Sequence, residues 1–152
     1  MKKKLLLFML IIVTITFFVL FQKESEIEKD NNDTRETISV SIDNHQFQMT
    51  LSDIQGKRTA GLSGTEKLEE DEGMLFVFDR SDYHGIWMKD MNYALDILWL
   101  DCDKNIITIR ENISPATYPE VFLPTSRACY VVEIPQGSIE RLWITYFSKV
   151  IF

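Results

Sequence analysis

The chain is poor in the residues that mark ready-made chemical centres. It has two cysteines and two histidines in 152 residues. Cys102 and Cys129 show no metal-ligand spacing, and His45 and His84 stand far apart, so neither a metal site nor a cofactor is expected. There is no G-x-S-x-G elbow, no phosphate-cradling glycine loop and no metalloprotease helix. Internal repeats and low-complexity segments are also lacking. Basic residues are scarce: from Thr37 to Phe152 there are 10 Lys and Arg against 17 Asp and Glu. Nucleic-acid binding is driven by basic surface, so a nucleic-acid partner is not expected. The same balance disfavours docking onto anionic headgroups.

Long apolar runs are lacking too, with one exception. Lys2, Lys3 and Lys4 precede a run from Leu5 to Phe21, softened only by Thr14 and Thr16. Its 17 residues would make a helix of about 25 Å, just long enough to span a bilayer. Preceding lysines keep an N-terminus in the cytoplasm. The run is long for the apolar part of a cleaved signal, and no small-x-small pair follows it. Residues 1–22 therefore read as a signal anchor, with a cleaved signal peptide as the alternative. In the first case the protein is held in the cell membrane by one N-terminal helix; in the second it is exported. Both put the remainder outside the cytoplasm. Residues 23–36 are polar and acidic and read as a tether. Residues 37–152 are long enough for one domain with a real core. A disulfide is permitted in that compartment. Nothing in the spacing brings Cys102 and Cys129 together, and two free, partly buried thiols are the expectation.

Thr37–Asp43 and His45–Leu51 alternate strictly, with Asp43-Asn44 between them, which predicts a hairpin. Ser52 and Gln55 fit a capping box opening a short helix that runs to about Leu62. Gly73–Asp79 is apolar on both faces, as in a strand covered on both sides. Further strands are expected at Gly85–Lys89, Ala94–Leu100, Asn105–Glu111 and Ala128–Ile134. A short helix follows at Ser138–Ile144, then a closing strand. Glu111–Arg127, with three prolines, is a long connection of the kind that often carries function. The expected fold is mostly β: a compact barrel-like or sandwich domain of short antiparallel strands with two small helices.

The candidate site residues are polar or aromatic groups within these apolar runs. Asp96 has apolar neighbours on both faces, so it is expected to be buried. It then serves either as an acceptor for backbone N–H groups or as the partner of a cation, Lys89 being the plain choice across adjacent strands. The sharper reading makes it a pocket carboxylate. Tyr83, His84 and Trp87 cluster at a strand entrance, as in a sugar-stacking surface. Glu133 lies within an apolar strand; if it met Asp96, the two carboxylates could act on a glycoside. Tyr118, with Ser114, Thr125 and Ser126, offers hydroxyls on the long connection, where turn chemistry is the simpler account.

Gly61-Leu62-Ser63-Gly64, Asp71-Glu72-Gly73-Met74-Leu75-Phe76-Val77-Phe78, Trp87-Met88-Lys89, Leu95-Asp96-Ile97, Tyr130-Val131-Val132-Glu133 and Gly137 stand in an order and spacing that resembles the family called domain of unknown function 192. The likeness covers about residues 39–150. It implies a compact, mostly β, barrel-like domain, frequently exported and with no established activity. The family's recurring polar positions match His84, Trp87, Lys89, Asp96 and Glu133. There are departures: Thr65 stands where Arg is usual, Asp90 where Asn is common and Ala94 where Pro is common. Leu142-Trp143-Ile144 and Phe147-Ser148 replace a pattern usually carrying two glycines, which adds apolar bulk suited to an interface.

The sequence thus favours noncatalytic binding of a small or cell-envelope ligand, carbohydrate-like in chemistry, at His84, Trp87, Lys89, Asp96, Glu133 and Tyr118. An envelope hydrolase using Asp96 or Glu133 is the first alternative. A protein-interaction module of the envelope is the second.

Overall fold

The computed structural model describes residues 36–152. The N-terminal apolar run and most of the tether lie outside the described residues. No helix among the described residues is long and apolar enough to cross a membrane.

Seven strands form one sheet: β1 (Thr37–Ile42), β2 (His45–Ser52), β3 (Glu72–Asp82), β4 (Leu95–Leu100), β5 (Ile106–Ile113), β6 (Ala128–Pro135) and β7 (Val150–Ile151). Two short helices, α1 (Gln55–Ala60) and α2 (Ser138–Leu142), sit in the connections. The strand order is β5-β4-β6-β3-β2-β1-β7. Among the described strands only β2 and β3 pair in parallel, and α1 lies in the crossover between them. β1 and β2 form the expected hairpin, with Asp43 at a positive φ of 52° in its turn.

The sheet curls into a half-barrel rather than closing into a barrel or doubling into a sandwich. Its edges approach each other through Lys104, beyond β4, and Phe152, beyond β7. The Lys104 ammonium donates to the Phe152 carbonyl at 2.6 Å and lies 3.9 Å from the centroid of its ring. Tyr130 meets the same ring edge-on at 5.1 Å.

Strand alternation splits the core in two. Val40, Phe47, Leu75, Leu98, Val132 and Ile134 fill the concave side, and Ile139 of α2 packs among them. Met74, Phe76, Leu95, Ile97, Trp99 and Val131 face the convex side, covered by Leu62, Ile86 and Met88 from the loops. All six residues of β4 are buried, as the two-sided apolar pattern requires.

Three expectations are corrected. Gly85–Lys89 is not a ladder strand: it is the cover of the convex core, pinned by one bridge between Ile86 and Phe122. A run that alternates can lie flat on a sheet's face as well as join its edge. Ser52 does not cap α1. It ends β2, and its buried hydroxyl has no hydrogen-bond partner among the described residues, while Ile54 takes the cap position without a side-chain bond.

The third correction concerns the cysteines. Cys102 and Cys129 form a disulfide, with Cα atoms 4.9 Å apart. The antiparallel register places Leu100 opposite Tyr130, so the residues just beyond, Cys102 and Cys129, are neighbours. That register is a tertiary fact, invisible in a separation of 27 residues.

Candidate functional site

Asp96 is fully buried on the concave side, and no cation among the described residues holds it. Oδ1 accepts the Asn112 backbone N–H at 2.8 Å, and Oδ2 accepts the Ile139 N–H at 2.9 Å. Both bonds answer a local need. β5 bulges between its pairings to Leu95 and Ile97, with Asn112 at φ 55°, and a bulged N–H has lost its ladder partner. The N–H of Ile139 belongs to the first turn of α2, which has no side-chain cap from its own Gly137. One carboxylate thus caps a bulge and a helix. The expected Lys89 partnership does not form: Lys89 is exposed and makes no ion pair among the described residues.

Glu133 is on the neighbouring strand but the opposite face. The register sets Ile97 against Glu133 and Asp96 against Ile134. Side chains alternate along a strand, so Asp96 points into the concave core while Glu133 points to the convex side with Ile97. Asp96 and Glu133 therefore do not form the paired-carboxylate arrangement for glycoside chemistry.

Glu133 instead lines a small pocket on the convex side, bounded by the α1–β3 loop at Gly61–Ser63, by Gly85–Trp87 and by Arg58. Its volume is about 60 Å³, counted as space open to the centre of a water molecule. At roughly 10–15 Å³ per water by that measure, this is room for a handful of waters or a small polar group. The Glu133 side chain retains only 5% exposure, and no hydrogen bond or ion pair holds its carboxyl among the described residues. Burial pushes it up to about 8. Desolvation disfavours the charged form, so the group is largely neutral at pH 7 and offers both a donor and an acceptor.

Trp87 stands at the mouth of this pocket, 47% exposed, and meets Tyr118 edge-on with ring centroids 6.1 Å apart. The Ile86–Phe122 bridge aligns the two segments that carry these rings. His84 faces elsewhere. Its ring stacks on Phe78 at 3.5 Å and its Nε2 lies 2.9 Å from the Arg80 carbonyl, while its own carbonyl accepts from Trp99 Nε1. Of the six candidates, then, Glu133 and Trp87 meet at one pocket and Tyr118 flanks it. His84 and Asp96 have structural partners, and Lys89 is exposed beside the loop, its carbonyl accepting from the Ser63 hydroxyl. Among the hydroxyls of the long connection, Ser114 accepts from Ala116 N–H and Thr125 braces Thr108 of β5, which is turn and edge chemistry.

Arg58 is the wall residue that sequence reading missed. Its guanidinium donates to the carbonyls of Asp53 and Val77, pairs with Asp79 at 3.5 Å and lies 5.5 Å from the Phe78 ring centroid. A signal was present. Lys57 has Asp53 four residues back, whereas Arg58 has Ile54 and Leu62 at that spacing and must find a partner in tertiary structure. Thr65, where the family usually has Arg, accepts no charge role: its hydroxyl bonds the Leu62 carbonyl and the Tyr93 hydroxyl.

The fold is a curled, mostly β domain, in which the buried Glu133 carboxyl has no partner among the described residues. The chain belongs to the DUF192 family, described as an uncharacterized ACR, whose model matches residues 38–152. Among solved structures, it is similar to a "putative transcription regulator" from Sinorhizobium meliloti 1021, at 25% identity and TM-score 0.73, covering 77% of this chain and 94% of that one. It is also similar to a protein of unknown function from Novosphingobium aromaticivorans DSM 12444, at 24% identity and TM-score 0.75, covering 80% and 89%. The second likeness shows the fold alone. No curated protein matches the sequence significantly.

Proposed function

We propose that this domain binds a small, uncharged, hydroxyl-bearing ligand, carbohydrate-like in chemistry, and that its N-terminal segment holds it at the outer side of the cell membrane. The observation that carries the binding reading is the Glu133 carboxyl, 95% buried, without a partner among the described residues and open to a pocket whose mouth displays Trp87. Buried polar groups are almost always satisfied within the fold. One left unsatisfied in a cleft is a place for a ligand group. A neutral carboxyl can donate to one hydroxyl oxygen and accept from another hydroxyl. The half-exposed indole supplies an apolar face for a sugar ring.

The disulfide supports placement outside the cytoplasm, because such bonds persist in oxidising compartments. The Lys2–Lys4 cluster and the apolar run support the anchor. The Sinorhizobium relative's name does not transfer to a domain with this acidic balance.

The test is a thermal-shift and calorimetric screen of residues 37–152, which form a compact unit of their own, against envelope monosaccharides and glycan fragments. A ligand that raises the melting temperature should lose its effect with Trp87→Ala and keep much of it with Glu133→Gln, whose amide still donates and accepts. Binding indifferent to both positions would reject this pocket as the site.

A further inference from the structure

We propose that the turn carrying Trp143, Tyr146 and Phe147 is a membrane-docking surface, seated in the headgroup region of the bilayer that holds the N-terminal segment. This rests on the anchor reading above and adds a second contact with the same membrane. Phe147 is 97% exposed, Trp143 86% and Tyr146 54%. Three large rings in water on one short turn form a concentrated apolar display, unlike the single exposed residues that any surface carries.

The turn is ordered, not loose. Ile144 is buried and its N–H donates to the Ile139 carbonyl. The Ser148 hydroxyl accepts the Thr145 N–H, and the Thr145 hydroxyl accepts the Phe147 N–H. Lys149 exchanges two bonds with Asp43 of the β1–β2 turn: its N–H donates to the Asp43 carboxylate and its carbonyl accepts the Asp43 N–H. Trp143 itself sits at φ 55°, a conformation uncommon for a residue with a side chain. The fold therefore holds these rings outward.

The chemistry of the occupant follows from two observations. Residues 142–148, Leu-Trp-Ile-Thr-Tyr-Phe-Ser, carry no charge in an otherwise acidic domain, so the turn can meet a zwitterionic lipid surface without like-charge repulsion. Trp and Tyr favour the membrane–water interface, where an apolar ring and a polar edge are both accommodated. Chain length also permits it. The turn lies beside Asp43, at the end of β1 remote from Thr37. Six strand residues span roughly 20 Å. The 15 residues from Gln22 to Glu36 reach up to about 50 Å when extended, which exceeds that separation.

The experiment uses the full chain at one copy per phosphatidylcholine nanodisc, in a Trp87→Phe background. Trp99 is fully buried, so Trp143 becomes the exposed reporter. Docking predicts a blue-shifted Trp143 emission, loss of most of it when the lipid is brominated near the headgroup, and shielding from aqueous quenchers. Phe147→Ser, which keeps the reporter, should weaken the brominated-lipid effect. Retention of the chain in the disc with an unshifted, water-accessible Trp143 overturns docking while leaving the anchor intact. Failure of the chain to co-purify with the disc overturns the anchor reading and the docking with it. A shift that needs two copies per disc assigns the turn to self-association and likewise overturns the proposal.

Discussion

Asp96 and Glu133 sit one register step apart on paired strands, yet they open to opposite faces of the sheet. One carboxylate is sealed in the concave core by two backbone N–H groups; the other lines a convex pocket with no partner among the described residues. They are both buried acids in apolar strands, and their physical situations differ entirely.

Glu133 should make the domain less stable as pH rises. Its folded pKa of about 8 lies above the ordinary 4.5, so between these values the folded state keeps a proton that the unfolded state has released. Stability from this group is fully present below pH 4.5 and is lost as pH rises through 8. The upper bound is on the order of 5 kcal/mol from a shift of this size. Melting temperatures of wild type and Glu133→Gln from pH 4 to 9 would read it. The wild type should decline across the range and the Gln variant should be flatter; parallel profiles would mean that the carboxyl is solvated or paired in solution.

Asp96→Asn should destabilise by about 3 kcal/mol, since hydrogen bonds to a charged acceptor are the stronger kind and a buried N–H left unpaired costs more. The amide can accept only one of the two N–H groups; its own NH₂ would face the other donor. Urea unfolding measures the loss. If instead the midpoint is unchanged, Asp96 is not the cap of both the β5 bulge and α2.

Reduction of the Cys102–Cys129 bond, or the double Cys→Ser variant, should cost about 3–4 kcal/mol on the chain-entropy estimate. The closed segment runs from the β4–β5 turn through β5 and the long connection to the start of β6, with ends 27 residues apart. A melting curve with and without reductant is sufficient. A fall of about 10–15 °C in melting temperature is expected from a loss of that size, and identical curves would show that the thiols are unpaired in solution.

Gly73→Ala should cost about 2 kcal/mol, as an added group in a filled space does. A Cβ at this position would lie 2.6 Å from the Glu133 carbonyl and against the Met49 sulfur. Met49 can shift, but the backbone that carries Glu133 cannot do so cheaply. The variant should therefore weaken ligand binding as well as lower stability. Lost stability with undiminished affinity would separate Gly73 from the pocket.

The strands were largely legible in the sequence. The alternation of Ile38-Val40-Ile42 and Phe47-Met49-Leu51, and the solid apolar run of β4, follow from side chains that must be buried on one face or on both. Burial of Asp96 followed as well, from neighbours alone. Its partners did not. Backbone N–H groups exist at every residue, and which two are orphaned depends on a bulge and on where α2 docks. Gly85–Lys89 misled because alternation reports burial on one side and not hydrogen-bonding to a neighbouring strand.

Local composition, then, determined that this chain makes a β-rich domain, where most of its strands run and which polar groups lie within apolar surroundings, because those are set by side-chain period and by the cost of exposing apolar area. Register and curl decided the rest. They joined Cys102 to Cys129, turned Asp96 and Glu133 to opposite faces, and brought Arg58, the Gly61–Ser63 loop and Trp87 around one carboxyl. The physical reason is that a sheet's pairing partners are distant in sequence, and a shift of one residue would exchange the two faces of every strand.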